Sequence, residues 1–133
     1  MIEPMTMLSF SVVDADGATV VALAGELDLY TTPNLRELVG SLIDEGRLRV
    51  VLDLSALTFC DATGLGELVR CRRVLREHDG WLSLLHVRPQ TVKMIRLTGL
   101  GSVLPVYSSL PESAAAAAWE QSAQATPKTS CRR

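Results

Sequence analysis

Hydrophobic and polar residues alternate near the start of the chain, and further on the apolar residues recur with the longer spacing of helices. Residues 8–12 alternate apolar with polar side chains, which is the pattern of a strand with one buried face. Asp16 and Gly17 form a typical turn pair, and the largely apolar residues 19–24 follow. The pattern predicts an antiparallel hairpin at the N-terminus.

The segment Thr31-Thr32-Pro33 is typical of a helix start, because a hydroxyl cap precedes a proline at the first helical position. Gly46 is a typical helix end. Between them, five apolar residues share one helical face: Leu35, Leu38, Val39, Leu42 and Ile43. The spacing predicts an amphipathic helix that packs one side against a core.

Three further helices are predicted. The first begins after the candidate N-cap Asp61 and continues to about His78. Its apolar residues are Leu65, Leu68, Val69 and Leu75. A short helix is predicted over residues 90–98. The spacing of Ser109 and Glu112 is that of a capping box, and it predicts a last helix to about residue 120.

Apolar runs without alternation predict strands that are covered on both faces. Residues 49–54 have this composition, and residues 55–60 are predicted as a loop that leads to Asp61. Residues 81–87 predict another strand. Residues 103–107 predict a short edge strand at best, because Pro105 cannot donate a backbone hydrogen bond.

Strands that alternate with helices indicate an α/β fold with right-handed crossovers. The sequence predicts a single domain over residues 1–124, with a mixed, mostly parallel sheet of four to five strands, four helices and an N-terminal β-hairpin. Residues 125–133 are rich in Thr, Pro, Lys, Ser and Arg, and they predict a disordered C-terminal tail.

The composition excludes several classes of protein. The chain has 133 residues, of which 47% are hydrophobic, and a net charge of −2, which does not favour nucleic-acid binding. It has no secretory signal and no apolar run of membrane-spanning length, so we expect a cytoplasmic protein without a membrane partner. Its three cysteines fit no zinc motif, and neither a metal nor a cofactor is expected.

The segment Asp61-Ala62-Thr63-Gly64-Leu65-Gly66 lies where a predicted strand leads into a helix. A structural explanation needs only Asp61 as the cap and Gly64 for close packing. A functional explanation makes Thr63 a phosphoacceptor, because the first turn of a helix favours a phosphate. Asp28 follows the preceding strand, and it could share this edge of the sheet with Asp61 and Thr63.

Two motifs resemble the STAS domain family, and in particular its bacterial anti-sigma factor antagonists. Gly25-Glu26-Leu27-Asp28 is similar to the segment before the family's first helix. Asp61-Ala62-Thr63-Gly64-Leu65 resembles the family's phosphorylation site, with Ala62 and Thr63 where many members have two serines. The resemblance extends from about residue 8 to residue 120, and it implies a STAS-like domain.

By this resemblance, the unphosphorylated chain binds an anti-sigma factor that has a kinase-like ATP-binding fold, and so releases a sigma factor. That kinase phosphorylates Thr63, and a PP2C-type phosphatase reverses the modification. The residues expected to contact the partner are Asp28, Asp61, Ala62, Gly64, Leu65, Gly66 and Arg70. Arg70 belongs to a basic cluster on the second predicted helix, which is either a solvated face or a docking patch for an acidic partner.

Two alternatives stay open at this point. The domain could be a STAS scaffold or sensor that is never phosphorylated and that binds a small ligand or a signalling complex. A small enzyme or nucleotide binder has weak support, because the glycine pattern after residue 63 lacks a third glycine and has Val69 instead. No catalytic residues are expected, since neither His78 nor His86 lies in a recognisable catalytic motif.

Overall fold

A computed structural model describes residues 7–15, 17–109 and 111. The strands are β1 (Leu8–Ala15), β2 (Ala18–Leu27), β3 (Arg49–Cys60), β4 (Trp81–Leu85) and β5 (Val106–Tyr107). The helices are α1 (Thr32–Asp44), α2 (Ala62–Glu77) and α3 (Pro89–Leu97), followed by a 3₁₀ turn at Leu100–Ser102.

The five strands form one sheet in the order β1-β2-β3-β4-β5. β1 pairs antiparallel with β2, and the other three pairings are parallel. The predicted hairpin, the mixed sheet and the α/β class are therefore confirmed, and β5 is an edge strand as expected. The 3₁₀ turn was not predicted. Most of the predicted fourth helix and all of the predicted tail lie outside the described residues.

The main core lies between one face of the sheet and the helices. Alternate residues of β3, Val50, Leu52 and Leu54, belong to it, and so do Leu35 of α1 and Leu68 of α2. The intervening β3 residue packs on the opposite face in a smaller cluster of Ala18, Val20, Val51 and Leu85. The expectation that the centre of β3 is covered on both faces is confirmed, because all three of its Val-Val-Leu residues are buried.

Residues 55–60 are not the predicted loop, since they continue β3 as far as Cys60. β4 pairs with β3 only as far as Asp53, so this extension pairs with β2 alone. Between Ala22 and Glu26 of β2 the register shifts twice, and at each shift β3 advances one residue more than β2. Such bulges break the alternation of buried and exposed side chains. Because of this extension, the last residue of β3 is the register partner of the last residue of β2.

β4 is shorter than predicted and ends at Leu85, because His86 has a φ of 56°. A positive φ lies outside the β region of backbone conformation, so a residue that adopts it cannot continue a strand. The His86 Nδ1 atom lies 3.2 Å from Asp53 Oδ1, a contact that holds this turn against β3.

Candidate functional site

The junction of β3 and α2 is built around Asp61, which is the N-cap of the helix as predicted. Its Oδ1 atom accepts a hydrogen bond of 2.9 Å from the Gly64 backbone N–H, and its carbonyl oxygen accepts one of 2.9 Å from Leu65. An aspartate cap accepts a hydrogen bond from one of the otherwise unpaired N–H groups of the first turn, and its negative charge is stabilised by the positive end of the helix dipole.

Thr63 is the second residue of α2, and both Thr63 and the preceding Ala62 are exposed. The hydroxyl therefore lies on the surface, beside a helix N-terminus whose first N–H groups point outwards. A phosphate on this oxygen would gain from the helix dipole without any change in the fold. The arrangement has the accessibility and the local electrostatics that a phosphoacceptor requires.

Gly64 is buried where the first turn of α2 crosses the end of β2. A Cβ atom at this position would lie 2.6 Å from the Leu27 carbonyl oxygen and 3.0 Å from Cys60 Sγ. A Cβ atom at Gly66 would have no other atom within 4 Å, apart from its own helix backbone and chain neighbours. Gly64 is thus required by close packing, whereas Gly66 leaves open surface next to Thr63.

Two residues predicted to contact a partner are instead interior. Leu65 is 2% exposed and belongs to the main core, and Gly64 is covered by β2. The physical reason is that α2 turns its first apolar residues towards the sheet, so these two hold the helix in place. Ala62, Gly66 and Asp61 keep accessible surface, and their contact with a partner stays a prediction.

Asp28 organises the neighbouring turn between β2 and α1. Its Oδ1 atom accepts hydrogen bonds from the backbone N–H groups of Tyr30 at 2.9 Å and Thr31 at 3.2 Å. The helix begins at Thr32 with Thr31 as its N-cap, so Pro33 is the second helical residue and not the first as predicted, and the Thr31 hydroxyl makes no cap bond. It donates instead to the Glu26 carbonyl oxygen at 2.9 Å and accepts from the Asp28 N–H at 2.9 Å. Asp28 is buried, so it supports the turn more than it faces a partner.

The two turns meet at one edge of the sheet, as expected from the parallel pairing of β2 with β3. The last residues of these strands, Leu27 and Cys60, are register partners. The Asp61 N–H donates to the Leu27 carbonyl oxygen over 3.4 Å. Asp28 and Asp61 each follow one of these paired residues, so the structure brings together the three predicted side chains Asp28, Asp61 and Thr63.

Three exposed apolar side chains at this edge were not anticipated from the sequence. Leu29 is 64% exposed, Tyr30 is 78% exposed and Phe59 is 49% exposed. Leu29 and Tyr30 lie in the turn that Asp28 holds, and Phe59 lies two residues before Asp61. The sequence signal for Leu29 and Tyr30 is an apolar pair inside an otherwise polar turn, and no such signal marks Phe59. Aromatic residues are enriched in protein–protein interfaces relative to the rest of the surface.

The basic cluster on α2 does not form a single patch. Arg70 Nη1 lies 3.3 Å from Glu67 Oε2, one turn back on the same helix. The Arg72 guanidinium lies over the ring of Trp81, 4.7 Å from its centroid, so it packs towards the sheet. A docking role for Arg70 stays a prediction. Arg72 is not part of a fully solvated face, because its side chain packs on Trp81.

The described residues contain no group of three or more His, Cys, Asp or Glu side chains that could hold a metal ion. Cys60 and Cys71 are buried free thiols. Burial, together with Asp61 beside Cys60 and Glu67 beside Cys71, raises the pKa of each thiol to about 12. Thiols with so high a pKa are poor nucleophiles at neutral pH. Over the part of the chain described, no helix has the length and apolar composition to span a bilayer.

Comparison with known proteins agrees with this geometry. The sequence profile of the STAS domain matches residues 9–113. An anti-sigma-B factor antagonist from Staphylococcus epidermidis is 31% identical over 99 residues, which are 74% of this chain and 92% of the relative. An anti-sigma-B factor antagonist from Staphylococcus aureus strain NCTC 8325 / PS 47 is 31% identical over 86 residues, which are 65% of this chain and 80% of that protein.

Solved structures give the same result. An anti-sigma factor antagonist from Mycobacterium paratuberculosis has a TM-score of 0.74 at 29% identity, over 87% of this chain and 98% of that one. The phosphorylated form of the Bacillus cell fate determinant SpoIIAA shares the fold, with a TM-score of 0.59 at 24% identity, over 76% of this chain and 93% of that one. The match of the family profile over most of its length shows that the chain belongs to the STAS domain family and is similar to its anti-sigma factor antagonists.

Proposed function

We propose that this STAS domain is an anti-sigma factor antagonist that binds an anti-sigma factor with a kinase-like ATP-binding fold, and that phosphorylation of Thr63 ends the binding. The observation that carries this proposal is the exposed Thr63 in the first turn of α2, two residues after the Asp61 cap. The relatives named as anti-sigma-B factor antagonists support the class of partner. In this proposal the chain is a regulatory binding protein, and its partners supply the chemistry.

The binding surface combines the acceptor hydroxyl with apolar contact area. Leu29, Tyr30 and Phe59 lie at the same edge of the sheet as Thr63, and each residue is about half exposed or more. Burial of aromatic residues at the centre of an interface contributes most of the affinity in many complexes. We therefore expect the partner to cover these three side chains while its active site reaches Thr63.

Phosphorylation acts on this surface through charge and not through refolding. A phosphate adds about −1.5 to −2 charges at neutral pH. Within the free domain, the N-terminus of α2 stabilises this charge. In the complex the same charge is enclosed beside Asp61 and the acidic groups that a kinase site presents. Like charges that face each other across an interface cost several kcal/mol, and about 1.4 kcal/mol weakens binding tenfold.

The reverse reaction needs the same accessibility. The phosphorylated side chain would remain at the surface, where Ala62 and Gly66 leave room around it. A PP2C-type phosphatase could then reach the phosphate and restore the binding-competent form. The cycle requires no second conformation of the fold, because each step changes only the charge at one surface position.

The experiment is a phosphorylation reaction with the anti-sigma factor and ATP, followed by intact-mass analysis. We expect one phosphate on the wild-type chain and none on Thr63→Ala. Ser55→Ala and Thr58→Ala are matched controls, because both residues are exposed hydroxyls on the nearby end of β3. Both control variants should be phosphorylated like the wild type, and the PP2C-type phosphatase should remove the added mass.

Phosphate on Ser55 or Thr58 would contradict the assignment of Thr63. Binding of the anti-sigma factor without any phosphate transfer would favour the alternative of an unmodified STAS scaffold. A chain that neither binds an anti-sigma factor nor accepts phosphate would contradict the proposed function as a whole.

A further inference from the structure

Glu67 is a buried carboxylate between α1 and α2. It belongs neither to the apolar core nor to the hydrogen bonds of the Asp61 cap. It is 5% exposed. Its Oε1 atom lies 2.8 Å from Arg36 Nη2 of α1, and its Oε2 atom accepts from Arg36 Nε at 3.4 Å. Arg70 Nη1 lies 3.3 Å from the same Oε2, and the Cys71 thiol donates to it at 3.5 Å. Four donor atoms therefore surround one carboxylate.

The charges in this group do not cancel. Two guanidinium groups face a single carboxylate, and within the described residues neither arginine forms an ion pair with a second acid. The hydrogen bond and the charge of Glu67 raise the pKa of Arg36 above its ordinary value, so this group stays protonated. The cluster of Arg36, Glu67 and Arg70 carries one surplus positive charge.

Two members of this cluster lie on the same helix as the acceptor Thr63: Glu67 is one helical turn along and Arg70 is two turns along. Thr63, Glu67 and Arg70 occupy positions i, i+4 and i+7 of α2, which share one face of a helix, and Cβ atoms four residues apart are separated by about 5–6 Å. The side chain of Arg36 is 51% exposed and that of Arg70 is 38% exposed. Both side chains thus keep solvent-accessible surface although each contacts Glu67.

We propose that Arg36 and Arg70 are the binding site within this domain for a phosphate on Thr63, and that Glu67 holds the two guanidinium groups beside the acceptor before the modification. This inference rests on the proposed function, since it assumes that Thr63 is the residue modified. A guanidinium forms two parallel hydrogen bonds to phosphate oxygens, and an arginine cluster can give a phosphorylated side chain one to three such charge-assisted bonds.

The consequence concerns the state of the free, phosphorylated protein. An arginine that binds both Glu67 and the phosphate links α1 to the first turn of α2, so the modified domain is more tightly held than the unmodified one. The charge that prevents docking would then be partly neutralised within the domain. Three nearby acids oppose the binding of a phosphate by repulsion: Asp61, Asp28 and Glu67 itself. All three are present in each arginine variant, so they do not account for a difference between those variants.

The test is a ³¹P NMR pH titration of the full chain with phosphothreonine incorporated at position 63 during translation. We expect the second pKa of the phosphate to lie about 1 pH unit lower in the wild-type chain than in Arg36→Gln, because a neighbouring cation favours the dianion. Arg70→Gln should raise the same pKa by a smaller amount. Arg96→Gln removes the same charge from an exposed position on α3 and is the matched control, which should titrate like the wild type.

Glu67→Gln should shift the same pKa in the opposite direction to the two arginine variants. Removal of the competing carboxylate should lower the phosphate pKa below the wild-type value. Equal pKa values in the wild type and in the Arg36, Arg70 and Glu67 variants would overturn the inference. Because the phosphothreonine is incorporated without a kinase, this result is independent of the mass analysis that tests the proposed function.

Discussion

The carboxyl edge of the sheet contains two turns that begin alike and differ in what they leave exposed. In each, an aspartate follows the last residue of a parallel strand and a threonine comes shortly after it. Asp28 and Thr31 are both buried, and their side chains bond to the backbone of their own turn. Asp61 makes the helix cap, while Thr63 leaves its hydroxyl on the surface.

The difference shows which of the two threonines could accept a modification without loss of its turn. The hydroxyl of Thr31 already bonds to Glu26 and Asp28, so modification there would break the turn. Nothing comparable encloses Thr63, because Gly64 and Leu65 anchor the helix beneath it. The first turn, which we call the rigid turn, is fixed by its internal hydrogen bonds and presents Leu29 and Tyr30. The second, which we call the open turn, leaves the Thr63 side chain exposed.

The largest expected effect distinguishes the two turns by binding. Thr63→Glu should weaken the affinity for the anti-sigma factor by about 100-fold, or about 2.8 kcal/mol, because an anion would be enclosed at the interface. The melting temperature should change little, since an anion at a helix N-terminus is neutral or slightly stabilising. Calorimetric titration with the anti-sigma factor measures the first quantity, and Thr63→Ser is the control that should bind normally. Full affinity of Thr63→Glu would refute the switch.

The next effect tests whether close packing anchors the open turn, which carries Thr63. Gly64→Ala should lower the free energy of unfolding by about 2–3 kcal/mol, because the new methyl group would press against the Leu27 carbonyl oxygen. Gly66→Ala, two residues along the same helix, meets no atom within 4 Å and should be neutral or stabilising by up to about 1 kcal/mol. Urea denaturation of both variants measures the contrast. Equal stabilities would mean that α2 does not depend on its contact with β2.

A smaller effect compares the two aspartates directly. Asp28→Ala should cost about 2 kcal/mol, since two backbone N–H groups lose a charged acceptor. Asp61→Ala should cost about 1 kcal/mol, the usual value of a helix cap. Thermal and urea unfolding of the two variants would show the order. A larger loss at Asp61 would reverse the assignment of the rigid and the open turn.

The sequence predicted those parts of the molecule that depend on local pattern. The hairpin, the apolar faces of α1 and α2, the doubly covered centre of β3 and the Asp61 cap all follow from spacing over a few residues. The extension of β3 was missed because two bulges against β2 interrupt the alternation of residues 55–60. The bonding of the Thr31 hydroxyl was missed because a cap and an internal turn bond use the same residue type.

Contacts between distant parts of the chain could not be predicted in this way. Arg36 and Glu67 are 31 positions apart, and only the packing of α1 against α2 brings them together. The predicted contact residues Gly64 and Leu65 were misplaced for a related reason, because the motif that carries the resemblance does not state which of its members face the sheet. Burial decides between a residue that supports a site and one that forms it.

The smallest effect on stability separates the two roles of Asp61. Asp61→Asn should keep the unfolding free energy within about 0.5 kcal/mol of the wild type, since asparagine caps a helix as well as aspartate does. The rate of phosphorylation at Thr63 should nevertheless fall, on the order of tenfold, because the carboxylate two residues from the hydroxyl helps to position it or the metal-bound phosphate donor. Single-turnover phosphorylation with the anti-sigma factor, followed by intact-mass analysis, measures this rate. If the variant is phosphorylated as fast as the wild type, Asp61 acts only as a cap, and the open turn differs from the rigid one in exposure alone.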